Sequence, residues 1–190
     1  MKFKVIKIKK IKSTNDEAIN LIKKKKISPT IIITENQTNG RGTMGKTWIS
    51  MRGNLFISML FQLKKKEIDF KYFAFLNPFI IKKILEKYSK YEIQVKWPND
   101  LLIKRRKLCG ILQETIEYKS RKFLVIGIGI NTFFSPKNKK FSSISLFNCN
   151  KKNFNNYIIF KKIKKFYENI VSDLEKNDKR SIENNLKLLK

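Results

Sequence analysis

Between Phe3 and Ile11 the apolar residues Phe3, Val5, Ile6, Ile8 and Ile11 are interleaved with lysines, a periodicity that predicts a first strand with a strongly basic outer face. The pattern then turns helical. Ser13, Thr14 and Asn15 supply N-cap side chains, and Asp16 and Glu17 put negative charge in a first turn. With Ala18, Leu21 and Ile22 at helical spacing, a helix is predicted from about Asn15 to Lys26. Thr30 to Glu35 is β-branched and apolar, which predicts a buried strand. A polar segment, Asn36 to Trp48, follows, and Trp48-Ile49-Ser50 and Asn54 to Phe61 read as further strand. Phe73, Ala74, Ile80, Ile81, Ile84, Leu85 and Tyr88 mark a buried helix from Phe70 to Tyr88, which Pro78 either kinks or, with Asn77 as cap, restarts. Phe123 to Asn131 is a buried strand whose Gly127 and Gly129 bare one face, so that something flat could lie against it. Residues 132–152 are polar and irregular, the one candidate for an internal break. Helical spacing resumes from Phe154 to Leu174, and a short amphipathic tail runs from Ile182 to Leu189.

Candidate chemistry concentrates in KWPNDLLIKRRKLCGILQE, Lys96 to Glu114. Val95-Lys96-Trp97 ends an extended run, Pro98 keeps Trp97 out of helical geometry, and a tight turn falls on Pro98-Asn99-Asp100. Leu101-Leu102-Ile103 is the next short strand, Lys104 to Lys107 its polar turn, and Leu108 to Gln113 a third strand. Such a hairpin lets Asp100 and Lys107 face a common space. A carboxylate and cations beside an apolar sheet suit a site that handles anions and a nucleophile. Gly40, Gly42 and Gly45, spaced GxGxxG, permit close backbone approach, and Arg41 and Lys46 add charge. A dinucleotide fingerprint of that spacing needs a helix straight after it. Strand follows here, so a surface loop and a phosphate-binding loop both fit.

The chain has 190 residues, 42% hydrophobic with fifteen Phe, which fits one folded domain with its own core and not a disordered tail. Net charge is +28, carried by lysine far more than by the six Arg. A nucleic-acid partner is one reading of that charge. The accompanying excess of Ile and Asn fits drift in an A/T-rich coding sequence, so the charge alone decides little. Cys109 and Cys149 lie far apart, with no CxxC and no His in the chain, which excludes a disulfide framework and a His-containing zinc site. Reduced thiols and a cytoplasmic protein are expected. The N-terminus alternates instead of forming a signal-peptide core, and no apolar run is long enough to span a bilayer.

Taken together, GRGTMGKTW at 40–48, KWPNDLLIKRRKLCGIL at 96–112 and GIGIN at 127–131, with STN at 13–15 and Gln37 ahead of them, resemble the catalytic domain of biotin protein ligases. The resemblance implies an α+β fold, a mixed β-sheet flanked by helices of the class II synthetase-like kind, over about 1–175, with 176–190 a helical tail. It implies a reaction in which ATP, with Mg2+, activates biotin as biotinyl-5′-AMP and the biotinyl group passes to a lysine of a biotin carboxyl carrier domain of an acyl-CoA carboxylase. By motif position, Ser13, Thr14, Asn15, Gln37, Gly42, Thr43 and Gly110 fall to biotin. Lys107 falls to biotin's carboxylate and the α-phosphate, and Arg41 to the carboxyl–phosphate region. Lys46 falls to phosphate, Trp48 to the adenine face and Asn131 to its edge. Asp100 matches the catalytic carboxylate that orients or deprotonates the incoming amine and helps hold the metal. Each has a plainer alternative: a solvated cation for Lys46, a core aromatic for Trp48, a turn cap for Asp100.

Two departures from the family pattern carry expectations. Thr43 and Met44 stand where many members have Arg, so the adenylate should be held less tightly or a lysine such as Lys46 should substitute. The resemblance also stops short of an N-terminal helix-turn-helix and a C-terminal β-barrel, which argues against specific DNA binding and for a monofunctional ligase. A homodimer paired through sheet edges fits the family, although the charge opposes it. Competing expectations are a lipoate ligase of similar fold, a basic nucleic-acid-binding module, and a ligase that has lost activity.

Overall fold

The computed structural model of the protein describes residues 1–64, 70–137 and 141–176. The expected tail at 182–189 lies outside the described residues. The chain begins with β1 (Lys4–Lys7), α1 (Thr14–Lys23) and β2 (Thr30–Thr34), a unit in which β1 and β2 run parallel. The first strand stops at Lys7, short of Ile11, which instead bridges to Gln37. Ser13 caps α1 by accepting from the Asp16 amide, so the helix starts one residue earlier than the spacing indicated, and it ends at Lys23.

The glycine-rich stretch folds back on itself. β3 (Gly40–Arg41), a single 3-10 turn at Thr43–Gly45 and β4 (Thr47–Trp48) form a small antiparallel ribbon apart from the main sheet. Of the strand expected at Trp48-Ile49-Ser50 only Trp48 is strand, paired with Gly40 in this ribbon, and Ile49 and Ser50 lie outside it. β5 (Leu55–Leu63) then enters the sheet centre and α2 (Phe70–Glu86) packs against it. Pro78 neither restarts α2 nor receives a cap from Asn77. The Asn77 amide donates to Gln113 Oε1 at 2.6 Å and accepts from the Tyr167 hydroxyl at 2.7 Å, so this buried polar side chain is committed to packing instead of capping.

β6 (Gln94–Lys96), β7 (Asp100–Ile103), β8 (Arg106–Tyr118) and β9 (Arg121–Ile130) form an antiparallel succession, followed by α3 (Leu146–Asn150) and α4 (Asn156–Lys176). The hairpin turn is tighter than the run of cations suggested. Only Lys104 and Arg105 form it, both with positive φ (49° and 61°), the geometry of a two-residue primed turn. Arg106 and Lys107 therefore belong to β8. Residues 141–150 are no internal break, because Ile144, Leu146 and Cys149 are buried in the main core.

The seven-stranded sheet has the order β1-β2-β5-β9-β8-β7-β6 and is mixed, as expected, with only the β1–β2 pair parallel. Side chains alternate across it. One face, with Ile31, Ile57, Met59, Leu124, Ile126 and Ile128, is covered by Ile80 and Ile84 of α2 and Ile163 and Tyr167 of α4. On the other face Ile32, Leu60, Phe123 and Val125 are covered by Ala18, Leu21 and Ile22 of α1. α1 covers only part of it. Beyond Val125 the strand continues on that face with Gly127 and Gly129, and there the chemistry collects.

Candidate active site

Three glycines make the floor. Gly110 pairs with Gly129 between β8 and β9, and Gly127 pairs with Ser58 on β5. A Cβ on Gly110 or Gly129 would stand 2.6 Å from the Trp48 ring, and one on Gly127 would overlap Asn15 Oδ1. Glycine is required there because the sheet backbone must meet an indole and a carboxamide directly. The flat group on the bared face is thus Trp48 itself, swung over by the β3–β4 ribbon. The Trp48 Nε1 is buried without a hydrogen-bond partner among the described residues.

At one end of this floor lies a polar cluster. Thr14 donates to Gln37 Oε1 from both its amide (2.8 Å) and its hydroxyl (3.0 Å). Ser58 lies within hydrogen-bond reach of Thr14 Oγ1 (2.7 Å) and Asn15 Oδ1 (2.5 Å), and the Asn15 Nδ2 donates to Glu114 at 2.8 Å. Ser13, Thr14, Asn15 and Ser58 are all buried. The parallel bridge from Ile11 to Gln37 and the N-cap at Ser13 hold this end together.

At the other end, Lys107 Nζ stands 2.8 Å from Asp100 Oδ1 and 5.2 Å from the Trp48 ring centroid. That oxygen has no aligned hydrogen-bond donor among the described residues, so charge holds the contact more than direction does. A bulge puts Lys107 here. The β7–β8 register pairs Asp100 with Gly110 and Leu101 with Cys109, then slips so that Leu102 faces Lys107 and Leu108 is the extra residue. Without the slip Leu108 would face the glycine floor and Lys107 the core. The Lys107 backbone is pinned besides, donating to the Ser142 carbonyl (2.9 Å) and accepting from the Ile144 amide (3.0 Å) and Asn131 Nδ2 (3.2 Å).

Arg41 lies at the polar-cluster end, against Glu114 and Asp16, and is already engaged. Its guanidinium donates to Glu114 through Nη2 (2.5 Å) and Nη1 (3.2 Å), and Nη1 also reaches Asp16 at 2.7 Å. Burial works to lower its pKa, but hydrogen bonds and charge from Glu114 and Asp16 outweigh this and raise it, so Arg41 is a permanent cation.

These features line one cleft of about 890 Å³, toward the upper end of the size usual for small-molecule sites. Every residue that the resemblance assigned to a ligand or to catalysis lines it: Ser13, Thr14, Asn15, Gln37, Arg41, Gly42, Thr43, Lys46, Trp48, Asp100, Lys107, Gly110 and Asn131. Asn131 does so with its amide partly used, donating to the Lys107 carbonyl and accepting from Asn54 Nδ2 at 3.3 Å. Sequence reasoning missed Lys96, Asn99 and Arg105, which also line the cleft, and Ser58, Glu114 and Asn54 behind it. Lys96 and Asn99 stand inside the quoted motif and could have been flagged. Nothing local distinguishes Ser58 in an apolar strand or Glu114 at the end of one.

Among the described residues no cluster of three acidic, Cys or His side chains is present that could hold a metal by itself, and no helix is long and apolar enough to cross a membrane. The pattern that defines the biotin/lipoate A/B protein ligase family matches residues 7–131. The bifunctional ligase/repressor BirA of Escherichia coli is 37% identical over 123 residues, 64% of this chain and 38% of that protein. The biotin–[acetyl-CoA-carboxylase] ligase of Mycobacterium tuberculosis is 28% identical over 118 residues, 58% of this chain and 42% of that one. The chain thus spans about two fifths of the length of these curated relatives. Among solved structures, a biotin protein ligase from Aquifex aeolicus in complex with biotin and ATP superposes with a TM-score of 0.71 at 27% identity, over 96% of this chain and 70% of that one. A match over residues 7–131, on a fold that superposes along nearly the whole chain, means that the protein belongs to the biotin/lipoate A/B protein ligase family.

Proposed function

We propose that the chain activates biotin with ATP and transfers the biotinyl group to a protein lysine. The observation that carries this is the cleft's polarity: a buried hydrogen-bonding cluster at Thr14, Asn15, Gln37 and Ser58, an aromatic and glycine middle, and the Lys107–Asp100 pair at 2.8 Å at the far end. An acid with a polar head, an apolar body and a carboxylate fits that order. In the first step a carboxylate oxygen forms a bond to the α-phosphorus of ATP and the bond to the β-phosphate oxygen breaks, releasing pyrophosphate. Two anions meet, and Lys107, Lys46 and Arg41 supply the opposing charge. In the second step the lysine amine attacks the acyl carbon, AMP leaves, and the amine loses a proton. Asp100 is the carboxylate that orients the amine or accepts that proton. Trp48 offers a face to adenine, and Asn131, with one amide hydrogen uncommitted, an edge.

Asp100 is the carboxylate lining the cleft that would help hold a magnesium ion brought with the nucleotide, and the ion would supply charge against the phosphates. The acceptor in this reading is a biotin carboxyl carrier domain of an acyl-CoA carboxylase, and the edge strands β1 and β6 are where a homodimer would pair. The buried free thiols Cys109 and Cys149 support a cytoplasmic setting.

The test is incubation with ATP, Mg2+ and either biotin or lipoate, following pyrophosphate and the adenylate by mass spectrometry. Biotinyl-AMP is expected from wild type, reduced by roughly 100-fold or more in Lys107→Ala, and in Asp100→Ala formed more slowly and transferred far less than it is formed. Lipoyl-AMP instead of biotinyl-AMP would move the reading to the lipoate branch of the family. No adenylate from either acid would refute it.

A further inference from the structure

Glu114 does not line the cleft, yet its carboxylate holds two residues that do. Oε1 accepts from Arg41 Nη2 at 2.5 Å, while Oε2 accepts from Arg41 Nη1 at 3.2 Å and from Asn15 Nδ2 at 2.8 Å. Arg41 serves the anionic part of the proposed reaction and Asn15 the polar head of the acid, so one side chain supports both. We propose that Glu114 is the positioning residue that fixes the polarity of the Asn15 carboxamide and the aim of Arg41, and so sets which hydrogen-bonding pattern the acid's head must present. This rests on the functional reading above.

The argument turns on what an ionised carboxylate can do. It accepts and does not donate, so the Asn15 NH2 must face Glu114, an orientation reinforced by the Leu112 carbonyl 3.5 Å from the same nitrogen. The Asn15 oxygen is then forced toward Ser58 Oγ, 2.5 Å away, over Gly127. Asn15 is only 3% exposed, so solvent offers it no alternative partner. Asn15 lines the cleft, and with its oxygen held to Ser58 the donor–acceptor pattern of this polar end is fixed for whatever head group meets it. The Arg41 guanidinium meets the same carboxylate in a fork, which fixes its plane as well as its charge. Asp16, nearly half exposed, is the weaker second anchor.

Glu114→Gln keeps the shape of the side chain and adds a donor. If the new amide keeps its oxygen on Arg41, its NH2 faces the Asn15 NH2, and the Asn15 amide must turn over. Asn15→Asp alone sets two carboxylates against each other. Together, Asn15→Asp with Glu114→Gln restores a donor–acceptor pair, keeps an acceptor toward Ser58 and leaves the net charge unchanged.

The experiment measures KM for biotin, KM for ATP and kcat, together with the unfolding temperature without substrate, for wild type, both single variants and the double. Each single should raise KM for biotin by roughly tenfold or more and KM for ATP by less than about threefold, and the double should return to within about threefold of wild type; one bidentate contact's worth of discrimination sets that scale. The unfolding temperatures should show the same compensation, the double lying several degrees above the sum of the two single losses. If one single fails to fold, the other and the double still decide the matter. Additive effects in both readouts, or equal losses for biotin and ATP that the double does not relieve, would overturn the inference. The melting cycle needs no turnover, so a chain that makes no adenylate fails the functional reading while the Asn15–Glu114 pairing is still judged.

Discussion

Gly129 shows how much one absent methyl group decides. Its missing Cβ would lie 2.6 Å from Trp48 Cε2, and the indole is a rigid ring on a short ribbon, not a flexible tip that can step aside. Gly129→Ala should displace Trp48, shifting its fluorescence in a Trp97→Phe background and cutting adenylate formation by about tenfold or more, the cost of misplacing a positioning group. A fluorescence spectrum and rate that match the parent would refute the close packing. Thr43 and Met44 are the other decisive pair. Met44 is 92% exposed with φ 54°, so the tip of the ribbon presents an apolar side chain to solvent where a guanidinium would carry charge. Thr43, which lines the cleft, is the position from which added charge could reach the ligand. Thr43→Arg should therefore slow loss of the trapped adenylate, and equal release rates for the two proteins would rule that out. The residue types at both positions were legible in the sequence. That a glycine-bared face would be filled by the protein's own tryptophan was not, because nothing local states how far the ribbon swings.

At the scale of elements, α2 and α4 are joined through Asn77, whose carbonyl accepts from the fully buried Tyr167 hydroxyl and whose NH2 donates to Gln113 of β8. Asn77→Ala leaves a buried hydroxyl unpaired, so a loss of about 2–3 kcal/mol is expected in denaturant unfolding, with the midpoint moving and the slope unchanged. α4 is also tied to the first strand. Glu168 accepts from the Phe3 amide at 2.8 Å and from Lys164 Nζ at 2.6 Å. Burial works to raise the Glu168 pKa, but those hydrogen bonds and the charges of Lys164 and the N-terminus outweigh it and lower the pKa. A carboxyl depressed in this way adds stability that is fully present above its unfolded pKa and is lost as pH falls through the folded value. Acidification below about pH 4 should therefore destabilise wild type more than Glu168→Gln, and parallel stability curves would exclude that role. Helix and strand identities here follow from periodicity alone. The use of Asn77 as a cross-link and not a cap depends on which helix packs beside it.

Over the whole molecule, 43 Lys and Arg stand against 15 Asp and Glu, and the resulting self-repulsion should weaken the fold at low ionic strength. The unfolding temperature is expected to rise with sodium chloride, as the Debye length shrinks to about 10 Å near 0.1 M, and to rise further with triphosphate at constant ionic strength. A melting temperature indifferent to both would mean that the charge is spread too thinly to matter. Side-chain period and backbone permissiveness are local properties, so the order of the main elements and the identity of the cations, the carboxylate and the glycines could be read from the chain as written, while the mixed sheet was implied by the resemblance to biotin protein ligases. Only the folded arrangement reveals that a slip of one residue between β7 and β8 turns Lys107 from the core to Asp100. The same holds for Arg41, which is gripped by Glu114 seventy-three positions along the chain. Register and long-range charge pairing depend on how strands from distant parts of the chain are laid side by side, and no window of sequence contains that information.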